Sequence, residues 1–400
     1  MNQSKILWGM CIVQFLAMQI WFNFSAVMPV IEDEWGLTAS QSGIIIAFFH
    51  VGYVVAIAFY SMLIDKYNPK YFMVLGAFLA GVSGMVFAAV AEGFWLTLLL
   101  RMISGIGVAG IYVPGLRILT DLFPLERRGA AVGIYVGSLV VGSGFSLLIS
   151  GMFIEHIGWQ GVIFITSFLS IIASVLMVFI KVPRLKHNES SLKVNWTVIK
   201  RVFKKKNLLV NASYAGHSWE LYAMWAWIGP FLVYYYGVQG FEQMEAIRYG
   251  NLTGALVIMI GGIATYVGGK LSDQFGHIKV ANFFLIISIT CSLMIGWLDF
   301  VPLIIMLIIL FIYGFSIVAD SPIYNVAVTK VSDPEVIGLA LGAQSILGFT
   351  VTIFSPLVFG FLLESFNWGI AFMVIGLVTI TAPICLFLLS KYKLSSEDTQ

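Results

Sequence analysis

In this 400-residue chain 60% of the residues are hydrophobic and 10% are charged, with 22 Lys and Arg against 20 Asp and Glu. Soluble domains carry about 25% charged residues, and a mean hydropathy of +0.95 leaves more apolar surface than a water-soluble core could hide. Lipid is therefore the solvent for most of the chain, and no nucleic-acid partner is expected.

The first apolar run follows Lys5 and continues to about Ile31 without a small-residue cleavage site. It is too long for a signal peptide and reads as a spanning helix. A helix needs about 20 apolar residues to cross a bilayer. Runs of that kind fall at about 6–30, 42–63, 71–91, 94–118, 130–154, 161–182, 209–236, 247–271, 279–298, 302–326, 338–362 and 369–390, which predicts twelve spans. If both termini are cytoplasmic, all Lys and Arg except Arg101 and Arg248 fall on the cytoplasmic side, while the outer loops carry acids such as Glu32, Asp33, Glu92, Glu155 and Glu364. That is the orientation the positive-inside rule selects. A multi-pass protein of the plasma or inner membrane is expected, as a monomer.

The longest cytoplasmic break, 183–208, is basic and too short to bury a core. Within it Trp196, Ile199 and Phe203 lie opposite the lysines at helical spacing, which suits a helix resting on lipid headgroups. It divides the chain into a bundle at 1–182 and a second at 209–391, with a tail at 392–400. The two sides are repeats. Gly105 matches Gly314, Gly129 matches Gly338, Gly133 matches Gly342, Gly151 matches Gly360, Glu155 matches Glu364 and Trp159 matches Trp368, every pair 209 apart. The expected fold is all-α and integral to the membrane: two six-helix bundles in parallel repeat, with a binding site near the midplane between them.

A polar hinge also occurs twice, as Ser61-Met-Leu-Ile-Asp65-Lys66-Tyr-Asn-Pro-Lys70 and as Gly269-Lys-Leu-Ser-Asp273-Gln-Phe-Gly276. The fourth run carries Arg101-x-x-x-Gly105-x-Gly107-x-Ala109, followed by Arg117-x-x-x-Asp121-x-x-Pro124-x-x-x-Arg128-Gly129. Over its whole length the chain resembles a major facilitator superfamily transporter, whose loop motif after the second span is G-x-x-x-D-R/K-x-G-R/K-R/K. Ser61, Asn68 and Pro69 depart from that motif; Gln274, His277 and Ile278 depart in the second copy. The resemblance implies alternating access by rocking of the two halves. It assigns gating to Asp65, Lys66, Gly269, Asp273, Gly276 and Arg128, where a carboxylate at a helix end can accept hydrogen bonds from the start of a helix in the other half. The fifth span has glycines but no proline where drug antiporters of the family have Gly-Pro, which weighs against a multidrug exporter.

Ionisable residues inside spans are costly and mark function. Five occur: His50, Arg101, His217, Glu220 and Asp320. In the superfamily the first, fourth, seventh and tenth spans line the cavity. Polar and aromatic stripes on them supply Gln19 and Asn23; Ser104 and Tyr112; Met224 and Trp227; and Tyr313, Ser316 and Tyr324. Glu220 falls near the midplane with His217 one turn away. A carboxyl at low dielectric can hold or release a proton near neutral pH and so carry it across. Arg101 is a fixed cation for an anionic substrate or for pairing with an acid such as Glu220. Asp320, before Ser321-Pro322, reads as a gating residue and His50 as a packing histidine.

The cysteines Cys11, Cys291 and Cys385 sit in separate apolar runs and give neither a disulfide framework nor metal-ligand spacing, so no metal or cofactor is expected. No protease, esterase or phosphate-loop motif stands in the chain, and an enzyme is not expected. The function read from the sequence is secondary active transport of a small organic solute, leaning to an organic anion and coupled to protons. A proton-coupled exporter of drugs or organic cations is the alternative.

Overall fold

The computed structural model describes residues 3–64, 66–183 and 196–397. All regular structure among these residues is helical. The spanning helices are α1 (Gln3–Trp35, interrupted at Met18), α2 (Ala39–Leu63), α3 (Pro69–Val90), α4 (Phe94–Leu122), α5 (125–157), α6 (159–179), α7 (Lys205–Val238), α8 (Gln243–Phe275), α9 (His277–Ile295), α10 (Leu303–Val331, interrupted at Asp320), α11 (Ile337–Ser365) and α12 (Trp368–Tyr392).

Local chemistry sets the ends. Thr38 and Gln41 form a reciprocal capping box that starts α2, and the Asn68 side chain accepts from Lys70 N to start α3 at Pro69. The α5–α6 corner turns at Gly158, whose φ of 67° is left-handed and favours glycine. The Asn367 side chain accepts from Ile370 N to open α12.

Among the described residues ten continuous helical stretches, with α5 and α6 counted as one, are long and apolar enough to cross a membrane. Splitting the 53-residue segment 127–179 at Gly158 and adding α7 completes the twelve expected spans. α7 escapes the apolar criterion because it buries Asn207, Asn211, Ser213, His217, Ser218 and Glu220. Its polar groups are turned into protein, where they can be satisfied.

The repeat is visible in the packing. Gly105 of α4 meets the Phe49 carbonyl of α2, and Gly314 of α10 meets the Val257 carbonyl of α8. Gly151 of α5 meets the Arg248 carbonyl of α8, and Gly360 of α11 meets the Ala39 carbonyl of α2. A side chain at any of these positions would hold the backbones apart. The first two contacts lie within a half, and the last two join the halves.

The two ends of the molecule differ. At the end away from the termini, Gly43 packs on Pro356 and Gly360, Asn251 donates to the Ala26 carbonyl (2.8 Å), and Ser40 N donates to Glu364 (3.0 Å). At the termini end, Gly129, Gly133 and Gly137 of α5 and Gly338 and Gly342 of α11 have nothing within 4 Å of a would-be Cβ. The halves are therefore closed at one end and parted at the other.

A short helix, Trp196–Val202, precedes α7. Val198 and Val202 are buried, whereas Trp196 and Phe203 are exposed and Ile199 is half-buried. Arg201 reaches Asp333 (2.9 Å) and Glu335 (2.8 Å), and Lys204 reaches Asp333 (2.9 Å), which ties this helix to the α10–α11 connection.

Candidate functional site

α10 breaks where its sequence says it should. Pro322 has no N–H to offer the Val318 carbonyl; Asp320 N takes that carbonyl instead. The break sets Asp320 against α7. His217 Nδ1 lies 2.9 Å from Asp320 Oδ1, with their side chains 3% and 1% exposed. The pair is too far off line for a well-formed hydrogen bond, so its attraction is electrostatic whenever the ring is protonated. On the other side of the ring, His217 Nε2 is 2.9 Å from Ser321 Oγ. Tyr324 OH donates to Asp320 Oδ2 (3.2 Å) and lies 3.2 Å from Ser213 Oγ.

Glu220 follows one turn after His217. Its Oε2 accepts from Ser288 Oγ of α9 (3.0 Å), while Oε1 and the neighbouring Tyr313 hydroxyl lack a well-formed partner. Glu220 is 1% exposed. It faces the interior of the second bundle, between α7, α9 and α10, and not lipid. The structure thus gathers Glu220, His217, Asp320, Tyr313 and Tyr324 in the interior of the second bundle. Asp320, read from sequence as a gate, lies against His217 in this interior.

Arg101 lies apart from this group. Its Nη1 donates to the Ile20 carbonyl (3.0 Å) and Asn23 Oδ1 (2.9 Å), its Nη2 donates to the Trp21 carbonyl (3.1 Å), and its guanidinium lies over the Phe49 ring at 4.6 Å. Among the described residues it has no ion pair, so pairing with Glu220 does not occur. Its cation fastens the middle of α1 to α2 and α4.

The remaining cavity candidates are mostly committed to protein. Gln19 donates to the Phe15 carbonyl, Asn23 to Thr166, Ser104 to the Leu100 carbonyl, Ser316 to the Tyr313 carbonyl, and Trp227 to the Pro356 carbonyl while stacking on Phe359. Tyr112 stacks on Tyr135, and Met224 is fully buried.

Between the halves runs an aromatic seam that the sequence reading did not assemble. Trp21 lies 4.9 Å from Tyr53, 6.1 Å from His50 and 5.9 Å from Tyr222, ring centre to ring centre. Tyr222 continues to Trp225 (5.8 Å) and Phe349 (6.1 Å), and Phe349 returns to Tyr53 (4.9 Å). His50, read as a lone packing histidine, is part of it. The signal was present as His50 and Tyr53, three apart on one face of α2, and as Tyr222 and Trp225 on α7.

Of the gating candidates, Asp65 lies outside the described residues. Lys66 and Asp273 are exposed, Gly269 is open, and Gly276 has φ 94° at the α8–α9 corner. Arg128 is half-buried with Nε unpartnered. None of them bridges the halves among the described contacts, as expected of an end that stands open.

A family model described as Major Facilitator Superfamily matches residues 10–355. The probable sulfoacetate transporter SauU of Cupriavidus necator is 25% identical over 99% of this chain and 96% of its own length. Human protein spinster homolog 1 is 31% identical over 43% of this chain and 33% of its own. The nitrate/nitrite transporter NrtP of Picosynechococcus is 36% identical over 36% of this chain and 27% of its own. A crystal structure of a bacterial homolog of the human lysosomal transporter spinster, inward-facing and unoccupied, superposes with a TM-score of 0.78 at 18% identity and covers 98% of each chain. With the twelve helices, the repeated half and the family match together, this chain belongs to the Major Facilitator Superfamily of membrane transporters.

Proposed function

We propose that the protein is a proton-coupled secondary transporter of a small organic anion, working by alternating access. The observation that carries the reading is the buried set Glu220, His217 and Asp320, two carboxyls and an imidazole inside one half, with hydroxyls of Ser288, Ser321 and Tyr324 against them. Such groups cost free energy in a spanning helix and persist where they do chemistry. The anionic solute is supported by the buried cation Arg101 in the other half, and by the names of relatives that move sulfoacetate and nitrate. With both termini cytoplasmic in an inner or plasma membrane, the open end faces the cytoplasm and the structure is the inward-open state. The working unit is the monomer, since each chain holds both halves of the pathway. Gating falls to the hinge residues Asp65 and Asp273, which would meet the opposite half when the termini end closes.

The test is uptake of radiolabelled sulfoacetate by proteoliposomes under an imposed pH gradient. Wild type accumulates the anion and Glu220→Gln loses the dependence on the gradient. Transport of a fluorescent organic cation, blocked by the same substitution, would support the exporter reading instead.

A further inference from the structure

The aromatic seam holds polar atoms that the proton chemistry does not use. Trp21, His50, Tyr53 and Trp225 are each at most 2% exposed. Trp21 Nε1, His50 Nε2, Tyr53 OH and Trp225 Nε1 have no hydrogen-bond partner within the protein. Buried polar groups are nearly always paired, so four together ask for an explanation. An indole N–H can only donate. His50 Nδ1 lies 3.0 Å from the Ile46 carbonyl, which can only accept, so the ring proton sits on Nδ1 and Nε2 carries the lone pair. The two indoles and the Tyr53 hydroxyl are thus donors that no group of the protein takes up.

The charge around it has one sign. Arg101 stands behind the seam, bonded to the Trp21 carbonyl and lying over Phe49, next in sequence to His50. Its hydrogen bonds go to α1, so its positive charge is held in place and not neutralised by an acid. The buried acids lie on the other side of α7, committed to Ser288, His217 and Tyr324.

The geometry points to this seam as the site that holds the oxyanion of the transported solute. The Trp21, Trp225 and Tyr53 donors receive its oxygens, and Arg101 supplies the field without a direct ion pair. This assignment rests on the reading of the protein as an anion transporter. The ligand class is a compact carboxylate, sulfonate or phosphate on a short carbon skeleton, with the faces of Tyr222 and Phe349 against its carbons. Trp21 and Tyr53 belong to the first half and Trp225 to the second, so one anion held by all three draws the halves together. Proton and substrate then occupy separate sites that meet through α7, one on each of its faces.

The experiment is titration of the full-length protein in nanodiscs with sulfoacetate, with inorganic phosphate and with neutral acetamide, read by calorimetry. Trp21→Phe, Trp225→Phe and Tyr53→Phe each delete one donor and keep the ring. Loss of a hydrogen bond to a charged group raises Kd by about tenfold or more. The donors have no protein partner, so the same variants keep the melting temperature of the unliganded protein. Trp95→Phe, on an exposed ring (79%), leaves both quantities unchanged. Expected are binding of an anion and not of acetamide by wild type, and weakened binding in the three donor variants. Wild-type binding that all three variants retain overturns the seam as the site and leaves the transporter reading standing. Wild type that binds none of the anions overturns both.

Discussion

The two halves share a skeleton and differ in what they bury. Gly105 against Phe49 in the first and Gly314 against Val257 in the second are the same backbone contact made twice. Around that contact the first half buries one cation and spends it on helix carbonyls. The second half buries two acids and a histidine, whose partners are hydroxyls and one another. Arg101 joins α4 to α1, while the two carboxyls lie among side chains of α7, α9 and α10. The difference is in the kind of partner: mostly main-chain carbonyls for Arg101, and hydroxyls and an imidazole for Glu220 and Asp320.

Substitutions can break that comparison, and the largest effect falls on Arg101. Arg101→Ala removes three charge-assisted hydrogen bonds and is expected to cost about 3 kcal/mol or more, seen as a lowered melting temperature in detergent. Glu220→Gln leaves a neutral group of the same shape and keeps the melting temperature. If Arg101→Ala melts like wild type, the contrast between the halves fails. Next come the paired glycines. Gly105→Ala and Gly314→Ala each push a Cβ into a backbone carbonyl and are expected to destabilise by about 1–3 kcal/mol, alike in the two halves. Gly129→Ala and Gly338→Ala meet nothing in this state. They should leave stability unchanged and slow turnover, since small residues let helices close; thermal melts and uptake rates separate the two outcomes.

Smaller effects sharpen the comparison of the ends. Glu364 accepts from Ser40 N at the start of α2 in the other half, and Glu155, its repeat counterpart, is exposed. A carboxylate at a helix N-terminus is worth about 0.3–1 kcal/mol. Glu364→Gln should therefore raise labelling of a cysteine placed at Ser40 about two- to fivefold, while Glu155→Gln changes nothing. The smallest effect belongs to the linker clasp. Lys204 and then Arg201 hold the Asp333 carboxyl below the usual carboxylate range. A depressed folded pKa adds stability above the unfolded value, near 4, and loses it as pH falls through the folded value. Melting curves of wild type and Asp333→Asn should differ slightly at pH 7 and converge in acid. A difference that persists in acid would contradict the assignment.

Most of the architecture was legible in the sequence because lipid imposes it. Long apolar runs, the charge bias of the loops and six matches at one offset specify twelve helices and two halves. α7 was legible as a span despite its polarity, since its polar residues fall among aromatic and aliphatic ones. The partners of those residues were not legible. Spacing puts His217 and Glu220 on neighbouring turns, but nothing local says that the kink before Pro322 turns Asp320 toward His217. Nor does it say that the Arg101 guanidinium reaches across to carbonyls of α1 some 80 residues away. The seam was missed for the same reason: its rings come from α1, α2, α7 and α11, and each taken alone reads as packing.

The central claim is that the second half carries the proton. The most direct test compares two modes of transport in Asp320→Asn and Glu220→Gln proteoliposomes. Accumulation against a gradient requires a proton to bind and leave, whereas exchange of labelled for unlabelled anion across an equilibrated membrane does not. In both variants pH-driven accumulation is expected to fall more than tenfold while exchange continues. Accumulation at the wild-type level in both variants would contradict it.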